Sequence, residues 1–61
     1  MKKWQLNIYN KKGKRRAIPL DHDYNTADEA NREAENIADI LFTENDEDWT
    51  VTERTRSKKN G

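Results

Sequence analysis

The sequence contains no cysteine, and its 61 residues include one proline, two glycines and one histidine. Without cysteine the fold has neither a disulfide bond nor a thiolate metal site, so packing must hold it together. It also lacks any apolar run near the roughly 20 residues that a membrane helix needs. Met1-Lys2-Lys3 leads into alternating apolar residues, unlike the continuous run of a signal peptide. We expect a soluble protein of the reducing cytoplasm.

Residues suited to catalysis or metal binding are equally scarce. His22 is the lone histidine and stands between two aspartates, where a solvated side chain is the usual outcome. Counted from Asp46, the acidic stretch has Val51 and Ser57 where a calcium-binding EF-hand needs glycine and glutamate. A chain of this length also buries only about 60% of the surface that its unfolded form exposes, which leaves no room for a catalytic cleft. We expect no enzyme activity, no metal and no cofactor.

The charges are strongly segregated, although twelve basic and twelve acidic side chains give a formal net charge of zero. Residues 1–19 hold seven cations and no acid, residues 20–53 hold all twelve acids and one arginine, and residues 54–61 hold the last four cations. Such segregation indicates either complementarity within the molecule or separate surfaces for charged partners.

Three stretches alternate between apolar and polar residues with the period of two that is typical of a half-buried strand. They are residues 3–9, 14–20 and 49–55. Gly13 between the first two favours a tight turn, so these strands form a hairpin. Pro19 has no N–H to donate, which places the second strand at a sheet edge or near its own end.

One stretch has helical spacing instead. Thr26 and Glu29 form a capping-box pattern, which predicts a helix that begins near Ala27. An apolar stripe then recurs every three or four residues and comprises Ala30, Ala34, Ile37, Ala38, Leu41 and Phe42. Because the first part of the stripe is alanine, the helix can lie close to a sheet there.

The element order β-β-α-β limits the topology, because crossover connections between parallel strands are almost always right-handed. It predicts an α+β fold, a three-stranded antiparallel sheet in the order 2-1-3 with one helix packed on one face. The face under the helix should carry Trp4, Leu6, Ile8, Ile18, Leu20, Trp49 and Val51. We expect one domain over residues 1–56, a disordered basic tail over residues 57–61, and a function on the uncovered sheet face.

Two functions compete for this region. The first is binding and modulation of a larger protein through the open face, by a monomer or a homodimer. Its candidate contact residues are Tyr9, Arg15, Arg54 and Arg56. Arginine suits this role because its planar guanidinium pairs with a carboxylate through two hydrogen bonds.

The second is nucleic-acid binding by the cationic hairpin tip, with phosphate contacts from basic side chains. The candidate contacts are Lys11, Lys12, Lys14, Arg15 and Arg16. Tyr9 or Trp4 would stack on an exposed base. The sequence pI of about 6.6 is far from the basic character of dedicated nucleic-acid-binding domains, so we place a protein partner first.

Four segments suggest a known kind of protein. They are Trp4, Ile18-Pro19-Leu20, Thr26-Ala27-Asp28-Glu29-Ala30 and Val51-Thr52-Glu53-Arg54-Thr55-Arg56. Together they resemble the small phage-encoded inhibitors of bacterial RNA polymerase, which build a three-stranded sheet with one helix. The resemblance implies a phage-like protein that binds RNA polymerase, with Arg54 and Arg56 as contacts to it.

Overall fold

Three strands and one helix make up the fold in the computed structural model, which describes residues 1–54. In chain order they are β1 (Trp4–Asn10), β2 (Arg15–Pro19), α1 (Ala27–Leu41) and β3 (Asp46–Glu53). The sheet is antiparallel with the order β2-β1-β3, and α1 packs across β1 and β3. The predicted α+β class, β-β-α-β order and 2-1-3 sheet are therefore confirmed. The predicted tail at residues 57–61 lies outside the described residues.

The β1–β2 hairpin closes through the tight turn that the position of Gly13 in the sequence predicted. Gly13 has a φ of 86°, a backbone conformation that residues with a side chain rarely adopt. The Asn10 side-chain oxygen accepts hydrogen bonds from the backbone N–H groups of Lys12 and Lys14, both at 2.9 Å. Lys14 therefore belongs to the turn, and β2 begins one residue later than predicted. At the other end, the Leu20 N–H still donates to the Trp4 carbonyl at 3.1 Å.

β3 begins earlier than the predicted range 49–55, since Asp46 already pairs with Asn10. Tyr9 faces Asp48 and Asn10 faces Asp46, so Glu47 is an extra residue in β3. Because of this β-bulge, a side chain that precedes it points to the opposite face of the sheet from the one that uninterrupted alternation would give. Asp46 consequently points to the helix side and is buried. The predicted end at residue 55 lies outside the described residues.

The core lies between the sheet and α1, as the alternation predicted. Leu6 and Ile8 are fully buried and pack in one cluster with Ala34 and Ala38. The half-buried side chains around this cluster are Ile18, Leu20, Ile37, Leu41, Trp49 and Val51. Trp4 is also buried, and its indole N–H donates to the Tyr24 carbonyl at 2.9 Å.

The helix begins at the predicted capping box. The Glu29 N–H donates to the Thr26 hydroxyl at 3.4 Å, and the Glu29 carboxylate accepts from the Thr26 N–H at 3.3 Å. The helix ends at the C-cap Phe42, whose N–H donates to the Ala38 carbonyl at 2.7 Å. Ile40 lies off the buried stripe and is 80% exposed. Within residues 1–54, no helix combines the length and apolar character required to cross a membrane.

Candidate protein-binding surface

The sheet face opposite α1 is the candidate site, and we call it the open face. The strand register places side chains from all three strands on it: Gln5, Asn7 and Tyr9 from β1, Arg15 and Ala17 from β2, and Asp48, Thr50 and Thr52 from β3. Within residues 1–54, no second layer of secondary structure covers this face. It is a largely polar surface on the side away from the core.

An amide and hydroxyl network fills the centre of the open face. Asn7 is only 1% exposed, although it lies on this uncovered side. Its amide nitrogen donates to the Thr52 hydroxyl at 2.9 Å and to the Thr50 hydroxyl at 3.3 Å. Its carbonyl oxygen accepts from the Gln5 amide at 2.6 Å. These bonds satisfy the buried amide and hold the centre of the face in one arrangement.

Tyr9 and Arg15 meet at the hairpin end of the open face, where they are direct cross-strand partners. The half-buried Tyr9 has its hydroxyl 3.5 Å from the Thr50 hydroxyl, and Arg15 is exposed. Asp48 faces Tyr9 from β3, and its carboxylate accepts the Trp49 N–H at 2.8 Å. Within residues 1–54, Arg15 forms no salt bridge. The structure therefore brings together two of the four predicted partner contacts.

The other two predicted contacts belong to the far end of the sheet. The Arg54 N–H donates to the Lys3 carbonyl at 2.7 Å, so Arg54 continues the β1–β3 pairing beyond β3. Tyr9 is six positions after Lys3 in the sequence, which places the two ends about 20 Å apart at roughly 3.3 Å per residue. Arg56 lies outside the described residues. The open face thus carries Arg15 and Asp48 at the hairpin end, Lys3 and Arg54 at the far end, and an uncharged centre.

The five predicted nucleic-acid contacts do not share one side of the hairpin. Arg16 lies on the helix side of β2, because neighbouring strand residues face opposite ways. Its guanidinium pairs with the Asp46 carboxylate at 3.1 Å and lies 3.5 Å from the Leu41 carbonyl. All five side chains are exposed, and the other four, Lys11, Lys12, Lys14 and Arg15, lack such a pairing within residues 1–54. A cleft of about 250 Å³ near the tip is lined by Asn10, Lys11, Lys12 and Asn45.

Asp46 joins three parts of the fold, a role that the sequence pattern did not reveal. Its carboxylate accepts from the Thr43 N–H at 2.8 Å, from the Thr43 hydroxyl at 3.1 Å and from Arg16. The Thr43 N–H is the main cause that lowers the pKa of Asp46, and it outweighs the opposing effect of burial. Arg16 lowers that pKa further. The cluster ties the end of α1 to β2 and β3, so Arg16 has a structural task.

The expected stacking of Trp4 on a base is wrong, because this side chain is buried under the Tyr24 loop. Tyr24 also pairs with Lys2 through two backbone hydrogen bonds of 2.9 Å. This leaves Tyr9 as the aromatic side chain on the open face. Single-stranded nucleic acids are held by several aromatic side chains that stack on bases along a basic groove. The open face has one aromatic side chain among residues 1–54.

A second cluster that sequence reasoning missed joins the Tyr24 loop to α1. The Tyr24 hydroxyl donates to the Glu33 carboxylate at 2.5 Å, and the Asp21 N–H donates to the same carboxylate at 3.0 Å. The hydrogen bond to Glu33 raises the pKa of Tyr24 to about 12. Burial by itself would raise the pKa of Glu33, but its hydrogen bonds outweigh that effect and lower it. The exposed His22 lies near by, with its ring edge-on to Tyr24 at 6.4 Å.

No protein-family model matches the chain, and no match was found among curated proteins or solved structures. A function for this chain must therefore be inferred from the geometry and charges of its surfaces. The open face is the surface on which the predicted contacts Tyr9 and Arg15 meet.

Proposed function

We propose that this chain is a small non-enzymatic binding protein, phage-like or accessory, that attaches to a larger protein through the open face and modulates it. The observation that carries the proposal is the uncovered sheet face with its ordered polar centre and a Tyr9–Arg15 pair at one end. Tyrosine and arginine dominate the energetics of many protein interfaces because they combine large contact area with directional hydrogen bonds.

The network around Asn7 supports this proposal because it keeps the centre of the face rigid before binding. Side chains that are already ordered lose little conformational entropy when a partner covers them. The side chains of Asn7, Thr50 and Thr52 are held by mutual hydrogen bonds of 3.3 Å or less. A partner therefore meets a preorganised surface.

The charge pattern supports a partner with acidic groups. Arg15 at the hairpin end lies in the same row as Asp48, whereas the other end carries Arg54 and Lys3, which is 3.5 Å from Asp23, and the centre is uncharged. A partner surface with carboxylates about 20 Å apart can pair with Arg15 at one end and Arg54 at the other, since Lys3 and Tyr9 are six positions apart in the sequence. By the resemblance, bacterial RNA polymerase is the first target to test, with Arg54 and Arg56 as further contacts.

Nucleic-acid binding is the second candidate, and the exposed cations of the hairpin tip favour it. Lys11, Lys12, Lys14 and Arg15 form no salt bridge within residues 1–54. They are free to contact phosphates, and such binding would weaken steeply as salt increases. We rank this candidate below a protein partner, because Arg16 is paired with Asp46 and Trp4 is buried.

The test measures binding of the tagged chain to purified bacterial RNA polymerase by interferometry. Tyr9→Ala with Arg15→Ala should weaken binding about tenfold or more, as expected for interface anchors. Arg54→Ala with Arg56→Ala should also weaken it while leaving the far-ultraviolet circular dichroism unchanged. The matched control is Lys11→Ala with Lys12→Ala, which also removes cations of the hairpin but lies off the open face, and it should change binding little.

A parallel capture from bacterial lysate, with and without nuclease, separates the two candidates. A stoichiometric protein that is retained equally in both arms, and is lost by the Tyr9 and Arg15 double variant, supports the open face. Retention that disappears with nuclease and with the Lys11 and Lys12 double variant supports nucleic-acid binding instead. If neither open-face double variant changes any capture, the open face is not the binding surface.

A further inference from the structure

β3 has a second edge that no strand covers within residues 1–54. In an antiparallel pair, successive residues direct their N–H and C=O groups alternately towards the neighbour and away from it. The Arg54 N–H points to Lys3 on the β1 side. By this alternation, the N–H and C=O groups of Glu53 and Val51 point outward, away from β1. Trp49 follows the same alternation, and its N–H is bonded to the Asp48 side chain and not to β1.

The outward groups of Val51 and Glu53 are therefore the unpaired part of this edge. A sheet edge of this kind can accept an extended segment of another chain as an additional strand. β2, at the opposite edge, is shorter and contains Pro19, which has no N–H to offer. β3 has no proline along its eight residues. The β3 edge is thus the better acceptor of the two.

Acidic side chains lie at the start of β3 and on the part of α1 that lines a cleft with β3. Asp39 lines this cleft together with Trp49, and Glu35 is one helical turn before Asp39 on α1. Glu47 adds a further carboxylate at the bulge. Within residues 1–54 none of these three forms a salt bridge. Their combined field favours a segment that carries positive charge.

A cleft with two aromatic walls opens at the same edge, between the end of α1 and β3. It has a volume of about 220 Å³ and is lined by Ala38, Asp39, Phe42 and Trp49. A cavity of about 150 Å³ holds a benzene molecule, so this cleft has room for one apolar side chain. A strand added to β3 would direct every second side chain towards the helix side, where the cleft lies.

We propose that the outer edge of β3 is a second docking site, which binds an extended basic segment of a partner protein as an additional strand. The backbone of Val51 and Glu53 pairs with the segment, and Glu35, Asp39 and Glu47 attract its lysine or arginine side chains. One apolar side chain of the segment enters the cleft beside Trp49. The site is separate from the open face and does not depend on it.

A second copy of the chain fits this edge poorly. Two β3 strands paired about a twofold axis would place both helices on the same face of the joined sheet. The acidic flanks with Glu35 and Asp39 would then face each other, and like charges repel. A basic segment from another protein meets no such repulsion.

The experiment titrates the isotope-labelled chain with a synthetic lysine–valine peptide that matches β3 in length. One face of the peptide carries lysine, valine and lysine in turn, so that all three can point to the helix side, and its other face carries threonine. Binding should shift the amide signals of Val51 and Glu53 and slow their hydrogen exchange. A glutamate–valine peptide of the same pattern should not bind. The same lysine–valine peptide with N-methyl groups along one edge keeps its charge but cannot pair, so it should lose most of the affinity.

Two variants with the same change in charge provide the control. Asp39→Asn removes an acid beside the edge, and Asn36→Lys adds a cation on the opposite flank of α1. Asp39→Asn should weaken binding by up to about fivefold, the effect of one exposed ion pair, and Asn36→Lys by less.

Three results would overturn the proposal. The first is no shift at Val51 and Glu53 at millimolar lysine–valine peptide. The second is equal binding of the N-methylated peptide, because charge alone would then explain the affinity. The third is concentration-dependent protection of these amides without peptide, which would make the edge an interface between copies of this chain.

Discussion

Truncation of Leu6 is the sharpest test of how this small fold is held together. Leu6 is fully buried on the central strand, with Ile18 beside it on β2 and Val51 beside it on β3. Leu6→Ala removes apolar contacts and leaves a cavity, which costs about 2–5 kcal/mol in comparable cores. Natural domains have about 0.05–0.15 kcal/mol of stability per residue. The whole chain should therefore have roughly 3–9 kcal/mol, and this single change removes a large part of it.

A milder variant and an exposed control keep the test informative if Leu6→Ala does not fold. Ile8→Val removes one methylene from a fully buried side chain and should cost about 0.5–1.5 kcal/mol. With a urea slope near 1 kcal/mol per molar, the unfolding midpoint should fall by about 0.5–1.5 M. Ile40→Ala changes an 80% exposed side chain and should stay within about 0.5 kcal/mol.

The assay is urea unfolding followed by tryptophan fluorescence and by far-ultraviolet circular dichroism. Coincident curves from the two signals would support a two-state analysis. Equal losses for Ile8→Val and Ile40→Ala would refute the reasoning, because burial would then not decide the cost.

Two further predictions concern pH. The pKa of Asp46 is lowered from 3.8 by its Thr43 and Arg16 partners, so its contribution to stability is present above pH 3.8 and is lost as pH falls through the lowered value. The acid-induced drop in urea midpoint should be smaller for Asp46→Asn, and an identical drop would exclude the cluster as its cause. Tyr24 has its pKa raised from 10.0 to about 12, so its contribution is present below pH 10.0 and is lost as pH rises towards 12. Ultraviolet absorbance should show one phenol that ionises near pH 12 in the native protein and is missing from Tyr24→Phe. Ionisation of Tyr24 near pH 10.0 would contradict its hydrogen bond to Glu33.

Much of the fold could be predicted because its signals are local. The alternation of Trp4, Leu6 and Ile8 with polar neighbours defines both the first strand and its buried face. The capping box at Thr26 and Glu29 marks the helix start within four residues of sequence. Neither inference needs knowledge of distant partners, and the structure confirms both.

The bulge in β3 could not be predicted in this way, since its cause is distant in sequence. Asp46 is 30 residues from Arg16, and an acidic stretch without its tertiary partners reads as a loop. The same holds for Asn7, whose hydroxyl partners Thr50 and Thr52 lie 43 and 45 residues away. Side-chain hydrogen bonds between distant strands leave no periodic signal in the sequence.

The candidate site was partly within reach of local reasoning. Strand alternation places Tyr9 and Arg15 on the open face, and it also places Arg16 on the other side of β2. The engagement of Arg16 with Asp46 required the structure, because its partner lies on another strand. The outer edge of β3 likewise emerges only when the sheet order and the direction of each N–H are known.

The separation of the two sheet faces suggests a use for the chain as a display scaffold. All of the fully buried apolar side chains among residues 1–54 lie on the helix side, whereas the open face carries one buried residue, Asn7. Tyr9, Arg15 and Ala17 can be randomised in a library without altering the apolar core or the hydrogen bonds of the Asn7 amide. With no cysteine, such variants can be labelled at a single introduced thiol and expressed under reducing conditions.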